Sequence, residues 1–297
     1  MKSSKLRSTI QGYGFMFPTL MILGLFILFP IGYALFLSFT RVNLLGGLEF
    51  EFVGWRNYEI AFNDERLLIA LRNTVRYVAF VVPIQTIIAL VMAYVLNSGI
   101  KFQKTFRTIY FLPTLTSSAA LTMIFMFLFS INGPVNGLLV EWGWLESPIN
   151  FVQDTQFALN TIMIMNIWST VPFYMTIYLA GLQDIPDALY EAASLDGANA
   201  VQKLTKVTVP NLVPVTNFIL LMGIIGCFQI FDQAYIISGG TGGPNNATLT
   251  LVLLIYRYAF QIVGTMGYAS ALAILLTILI FVVSMIAKRL NKEEAVY

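Results

Sequence analysis

The chain has 297 residues, of which 58% are hydrophobic and 11% charged, against roughly half apolar and a quarter charged in an average soluble protein. That bias marks a membrane protein, and a formal charge of +2 is too small to attract nucleic acid. Histidine is absent and the one cysteine, Cys227, lies inside an apolar run, which excludes the commonest catalytic base and metal ligand and any internal disulfide.

In chain order, residues 1–12 carry Lys2, Lys5 and Arg7 and no acid, and an apolar stretch follows from 13 to 39. A cleavable signal has an apolar region of roughly 7 to 15 residues, so this longer stretch reads as a retained first span with a cytoplasmic N-terminal tail, kinked at Pro18 and Pro30. Residues 41–73 mix both charges and form the first external loop. Trp55 and Tyr58 within it suit a membrane interface. A second span is expected over 74–96, and Lys101, Lys104 and Arg107 mark the turn after it as cytoplasmic. The third span, 109–129, contains Thr114, Thr116, Ser117, Ser118, Ala119, Ala120 and Thr122. Small and hydroxyl-bearing residues of that kind favour helix packing over ligand binding.

Residues 130–160 hold no Lys or Arg and belong outside. A fourth span over 161–182, a polar loop over 183–212 and a fifth span over 213–237 follow. Residues Ser238 to Asn246, rich in Gly, Pro and Asn, read as a flexible external turn. They lack the Lys-Ser/Thr ending of a phosphate-binding P-loop. The patch 248–262 is too short to span without strain and is expected to be interfacial or partly re-entrant. A sixth span over 266–287 ends at Lys288, Arg289 and Lys292, so the tail 288–297 is cytoplasmic as well, and the membrane domain is 13–287.

The 183–212 loop is the most informative stretch. Asp184, with Asp187 three residues on, can cap a short helix near 185–195, Pro186 suits a first helical turn, and Gly197 supplies a stop before a second short helix that runs to about Val209. Ile185, Leu189, Ala192 and Ala193 recur at helical spacing, so the stripe includes small side chains that permit close approach by another surface.

Glu191-Ala192-Ala193, Gly197 six residues after the Glu, and Val207 and Val209 before Pro210 resemble the EAA loop of ABC-importer permeases, with Val where Ile and Leu are more usual. Phe52 to Tyr58, Asn73-Thr74, Gly133 to Leu139, Gly242-Gly243-Pro244 and Gly267 to Ala271 are similar to the carbohydrate-type members, specifically the one encoded beside a second, related permease. The resemblance implies an all-α membrane protein with the six transmembrane helices of the type I ABC importer permease fold and a cytoplasmic coupling-helix hairpin. It implies as partners a second permease, a pair of ABC ATPase subunits and an extracytoplasmic solute-binding protein, in a bacterial or archaeal inner membrane among its lipids. In such a complex Glu191 and Asp196 are polar docking positions, Ala192 and Ala193 the close-contact face, Gly197 the turn and Pro210 the rigid re-entry. ATP and Mg belong to the ATPase; this chain binds no cofactor or metal of its own.

No GxxxxGK[ST] sequence occurs, and the span interiors are nearly free of ionisable groups, which disfavours transport driven by an ion gradient. Candidates for lining the path of a sugar or related polyol are Asn166, Trp168 and Tyr174 on the fourth span and Gln229, Asp232 and Gln233 on the fifth; rings and amides also serve ordinary helix packing, which the residue types favour for any single one of them, and Asp232 equally suits the membrane interface. A gradient-driven secondary transporter and a structural membrane subunit stand as alternatives. An intramembrane enzyme lacks its catalytic set.

Overall fold

The computed structural model describes residues 2–43, 49–99 and 101–290. The tail from 291 to 297, with Lys292, and the side chains of Lys2, Lys5, Arg7 and Lys104 lie outside the described residues. Among the described residues five helical segments are long and apolar enough to cross a membrane: Gly12–Ser38, Glu65–Asn97, Ala158–Gln183, Val213–Ser238 and Met266–Arg289. A bent pair, Thr105–Leu115 with Ser118–Leu128, makes a sixth crossing if counted as one span.

The first segment joins α1 (Lys2–Leu23) to α2 (Phe29–Ser38) through a π turn at Gly24–Leu28, in which Phe29 donates its N–H to the Gly24 carbonyl. Pro30 has no N–H and its ring presses on the carbonyl four residues back, so a widened turn just before it lets the helix continue. Strands β1 (Thr40–Asn43) and β2 (Glu49–Phe52) then pair antiparallel, with Thr40 opposite Phe52. Among the described residues they are the only strands in an otherwise helical architecture. After α3 (Arg56–Phe62), α4 (Glu65–Asn97) starts well before Thr74, so Glu65, Arg66 and Arg72 sit on helical turns and not in a loop.

The third span departs from a single straight helix. α5 (Gln103–Leu115) and α6 (Ser118–Leu128) meet at 99°. Thr116 and Ser117 are extended, and the Ser117 hydroxyl accepts from the Ala120 N–H at 3.2 Å. A serine in that position caps a new helix more readily than it continues an old one. The hydroxyl cluster read as packing residues thus includes the capping residue of a break.

α7 (Pro134–Glu141) lies in the next loop and α8 (Ala158–Gln183) is the fourth span. The hairpin that follows contains α9 (Asp187–Leu195), α10 (Ala200–Lys203), a π turn at Leu204–Thr208 and α11 (Val209–Asn211). The fifth span is α12 (Val213–Phe228) followed by α13 (Asp232–Ser238), which stops at Gly239 in the left-handed region. α14 (Leu251–Tyr256) and a π turn at Arg257–Gln261 precede α15 (Met266–Leu290).

The chain divides into two compact units, Met1–Asp64 with Ile255–Leu276, and Glu65–Leu254 with Thr277–Tyr297. In the first, buried Asn57 donates to the Ser38 and Thr40 carbonyls at 2.8 and 3.0 Å, and the Tyr58 hydroxyl donates to Ser38 Oγ at 2.8 Å. Tyr58 is therefore an internal anchor, while Trp55 is exposed and edges against Phe39. The Tyr258 and Tyr268 hydroxyls both donate to Asp64, at 2.9 and 2.8 Å. Gly267 lies so close to the Thr40 carbonyl that a Cβ there has no room.

In the second unit α4, α8 and α12 pack together. Ala89 and Ala93 of α4, Tyr178 and Leu179 of α8 and Ile219 of α12 are all buried in one core, where small residues bring helix backbones close. Arg76 donates to Asn160 at 2.9 Å and Thr170 to Gln85 at 2.8 Å. The near-constant offset between these pairs makes α4 and α8 parallel neighbours.

The glycine-rich turn read as flexible is tied down. Asn73 Nδ2 donates to the Asn246 and Leu249 carbonyls at 2.8 and 3.0 Å, Thr74 Oγ1 accepts from the Leu251 N–H at 3.0 Å, and Thr250 donates to the Ile230 carbonyl at 3.1 Å. Thr248, Leu249 and Thr250 are completely buried. Asn73 and Thr74 supply partners that the turn's own composition could not reveal. The 248–262 patch starts inside the second unit, where Leu251, Leu253 and Leu254 of α14 are buried.

Candidate functional site

The 183–212 hairpin joins the C-terminal end of α8 to the N-terminal end of α12. Ile185 and Leu212, at its two roots, are 8% and 1% exposed and belong to the same core as Tyr178 and Ile219. Pro186, extended at ψ 132°, occupies the position before α9, and no side chain caps that helix. Asp184 instead follows the end of α8, so the capping role expected of it is not used. Asp187 stands in the first turn of α9, where a carboxylate complements the helix dipole.

The far end of α9 is closed tightly. Gly197 has φ +76°, its N–H bonds to the Ser194 carbonyl at 3.1 Å, and the next N–H, of Ala198, reaches back to the Ala193 carbonyl at 2.9 Å. This is a Schellman closure, and it requires a left-handed residue in that place. Asn199 then opens α10 with a capping box: its side chain accepts from the Gln202 N–H at 2.9 Å, while the Gln202 side chain accepts from the Asn199 N–H at 2.8 Å. The two motifs abut, the first ending at Ala198 and the second starting at Asn199, so the tip has little freedom. Lys203 Nζ adds a bond to Ser194 Oγ at 2.7 Å across the hairpin. Nearer the bundle, the Tyr190 and Thr208 hydroxyls bond at 3.0 Å. The π turn at Leu204–Thr208 stands just before Pro210, as the first π turn stands before Pro30, and the same proline geometry accounts for both.

Glu191, Ala192, Asp196, Gly197 and Pro210 are exposed and Ala193 is half-buried. The most prominent apolar residues are others: Leu195 is 90% exposed and Val201 68%, on either side of Gly197. Leu195 falls off the apolar stripe of α9, and an apolar residue on the polar side of a short helix is the sequence signal that could have singled it out. A stapled hairpin with an apolar tip and a buried root can seat in a groove of a partner and pass a push at its tip to α8 and α12.

The residues proposed for a path do not share one surface. Tyr174 is in the core shared by α4 and α8. Trp168 is half-exposed with its ring 5.6 Å from that of Phe125. Gln229 and Asp232 are exposed at the break between α12 and α13, and Gln233 is half-buried there. Asn166 keeps its side-chain oxygen buried and unpartnered.

A polytopic helical bundle with a stapled hairpin between its fourth and fifth spans defines a membrane subunit of a transporter. Residues 67–294 match the family described as binding-protein-dependent transport system inner membrane component, and the chain belongs to that family. It is 34% identical over 276 residues to the lactose transport system permease protein LacF of Rhizobium radiobacter, covering 93% of this chain and 92% of that one. It is 31% identical to the multiple sugar-binding transport system permease protein MsmF of Streptococcus mutans, covering 97% and 98%. In fold it is similar to a chain of a bacterial ABC transporter that imports the acidic polysaccharide alginate, at TM-score 0.80 and 21% identity, with 98% of each chain covered. A second structure of a bacterial alginate ABC transporter, in complex with a pentasaccharide-bound periplasmic protein, matches at TM-score 0.82 and 22% identity, over 97% of this chain and 98% of that one. The chain is therefore a permease subunit of a binding-protein-dependent ABC importer.

Proposed function

We propose that this chain forms half of the translocation path for a sugar or related polyol and that the 183–212 hairpin couples that path to a separate ATPase. The observation that carries the reading is the hairpin itself: an exposed apolar tip at Leu195 and Val201, closed by two adjacent capping motifs, on a root buried at Ile185 and Leu212. A second, related permease supplies the other half, a pair of ABC ATPases binds ATP and Mg on the cytoplasmic side, and an extracytoplasmic binding protein delivers the solute. Both termini and Gly197 are cytoplasmic. Closure of the ATPase pair displaces their grooves, and the hairpin carries α8 and α12 with it, turning an inward-facing path outward.

The sugar class is supported by the names of the relatives, which are lactose and multiple sugar-binding transport system permeases, and by the rings and amides of Trp168, Gln229 and Gln233. An oligosaccharide, a disaccharide or a glycerol-phosphate-like solute each fits that description. Purification in mild detergent tests the assembly: co-purification of an ATPase, a related permease and a solute-binding protein supports it. Labelling of a cysteine at position 197 by an impermeant reagent from outside intact cells overturns the topology and with it the coupling role.

A further inference from the structure

The first unit encloses a cleft of about 890 Å³, within the roughly 300–1,000 Å³ of sites that take small molecules. Every residue that lines it belongs to that unit, and its walls are fixed by bonds on the page. α3 turns Asn57, Tyr58 and Ala61 inward, where Asn57 and Tyr58 bond to the end of α2 and the start of β1. Arg56, Glu59, Ile60 and Asn63 recur at the spacing of one helix face, and that face lines the cleft. Arg41 and Glu51 are directly opposite across β1 and β2, so their side chains leave the same face of the ribbon and line a second wall. The third wall contains Tyr258 and Tyr268, held by their hydroxyl bonds to Asp64 and by the Thr265 hydroxyl on the Tyr258 carbonyl.

Small-molecule sites are mostly apolar with a few polar groups. Here the proportion is inverted: Val53, Ile60 and Gly264 are the apolar members, and the others carry hydroxyl, amide or charged groups. Such a lining suits a ligand that is polar over its whole surface. The charged members stand in mixed pairs. Arg41 is beside Glu51, Arg56 is one helical turn from Glu59, and none of these four side chains has a hydrogen bond or ion pair among the described residues.

Each of these two walls therefore offers guanidinium donors next to carboxylate acceptors, with no net pole on either. An anion would meet the carboxylates, a cation the guanidiniums, and a zwitterion would find no separated charges. Neighbouring hydroxyls of a sugar donate and accept at once, so they satisfy both members of a pair. The half-buried Tyr258 ring adds a flat apolar surface for ring carbons.

We propose that this cleft binds a neutral saccharide, between Arg56 and Glu59 on one wall and Arg41 and Glu51 on the other. It shares no residue with the candidates for the translocation path. Its placement outside the membrane, on the first external loop, rests on the permease reading.

The test is equilibrium binding of radiolabelled lactose and cellotriose to the complete importer in nanodiscs, beside glycerol 3-phosphate and glycine betaine as anionic and zwitterionic probes. At least one neutral sugar is expected to bind, and neither charged probe. Arg56→Ala and Glu59→Ala should each weaken that binding about tenfold, the scale of one hydrogen bond to a charged group. The thermal midpoint should stay unchanged, because both side chains are exposed. Binding that survives both substitutions but is lost in Trp168→Ala or Gln233→Leu belongs to the path and overturns the cleft. Tighter binding of a charged probe, or binding of neither sugar, overturns it as well. An importer that takes up no solute with its binding protein counts against the permease reading, while sugar binding that depends on Arg56 and Glu59 still upholds the cleft.

Discussion

The Tyr190 and Thr208 hydroxyls meet at 3.0 Å and join the outgoing arm of the hairpin to the returning one. Tyr190 also packs against the core that contains Ile185 and Leu212, so this bond lies where the hairpin enters the bundle. Tyr190→Phe keeps the ring and removes one bond worth about 1 kcal/mol. The expected outcome is unchanged binding of the ATPase with a two- to fivefold lower ratio of solute taken up to ATP hydrolysed, a range of about 0.4–1 kcal/mol. Proteoliposome transport measured beside phosphate release checks it, and a ratio equal to wild type counts against transmission through this bond.

Gly197 lies at φ +76° and an added Cβ meets nothing within 4 Å, so a substitution there is resisted by backbone conformation alone. A left-handed residue with a Cβ costs about 1–2 kcal/mol, enough to open the Schellman closure of α9. Gly197→Val is expected to insert and fold normally while ATP hydrolysis becomes uncoupled from uptake, and Gly197→Asn, which tolerates this conformation better, should recover part of the coupling. Normal uptake by the valine variant would speak against a structured tip as the coupling element.

Leu195 and Val201 contribute nothing to the core, being 90% and 68% exposed. Leu195→Asp should leave the thermal midpoint of the chain unchanged and weaken ATPase capture by about thirtyfold or more, the scale of an interface hot spot of 2 kcal/mol. Val201→Asp should act in the same direction with a smaller effect. Surface plasmon resonance on the purified ATPase distinguishes this from an effect confined to Glu191 or Ala192.

Gly267 and Asn57 secure the first unit. Gly267→Ala places a Cβ on the Thr40 carbonyl, and overpacking of this kind costs about 1–3 kcal/mol. Asn57→Ala leaves the Ser38 and Thr40 carbonyls without their shared donor, for a loss of about 1–3 kcal/mol. Both should lower the midpoint of unfolding in detergent, whereas Trp55→Ala, at an exposed ring, should change it far less.

What the sequence determined by itself follows from composition and local pattern. Runs of apolar residues near the length of a bilayer, the placement of Lys and Arg, and Glu191-Ala192-Ala193 with Gly197 at family spacing all act through neighbours close in the chain. The class of protein could be read from them. The left-handed turn at Gly197 was legible for the same reason, since a helix stop of that form lies within six residues.

Tertiary structure decided the features whose partners are distant. The Gly-rich turn after the fifth span is ordered because Asn73 and Thr74 reach it from more than 170 residues away. Tyr174 belongs to a core and not to a surface because α4 supplies Ala89 and Ala93 opposite it. The sharp bend between α5 and α6 came from a choice between continuing a helix and capping a new one, which Ser117 allows in either direction until its surroundings fix it. Local energies set which segments become helices; which of their faces are buried, and which polar atoms find partners, depends on helices that meet only when the chain has folded.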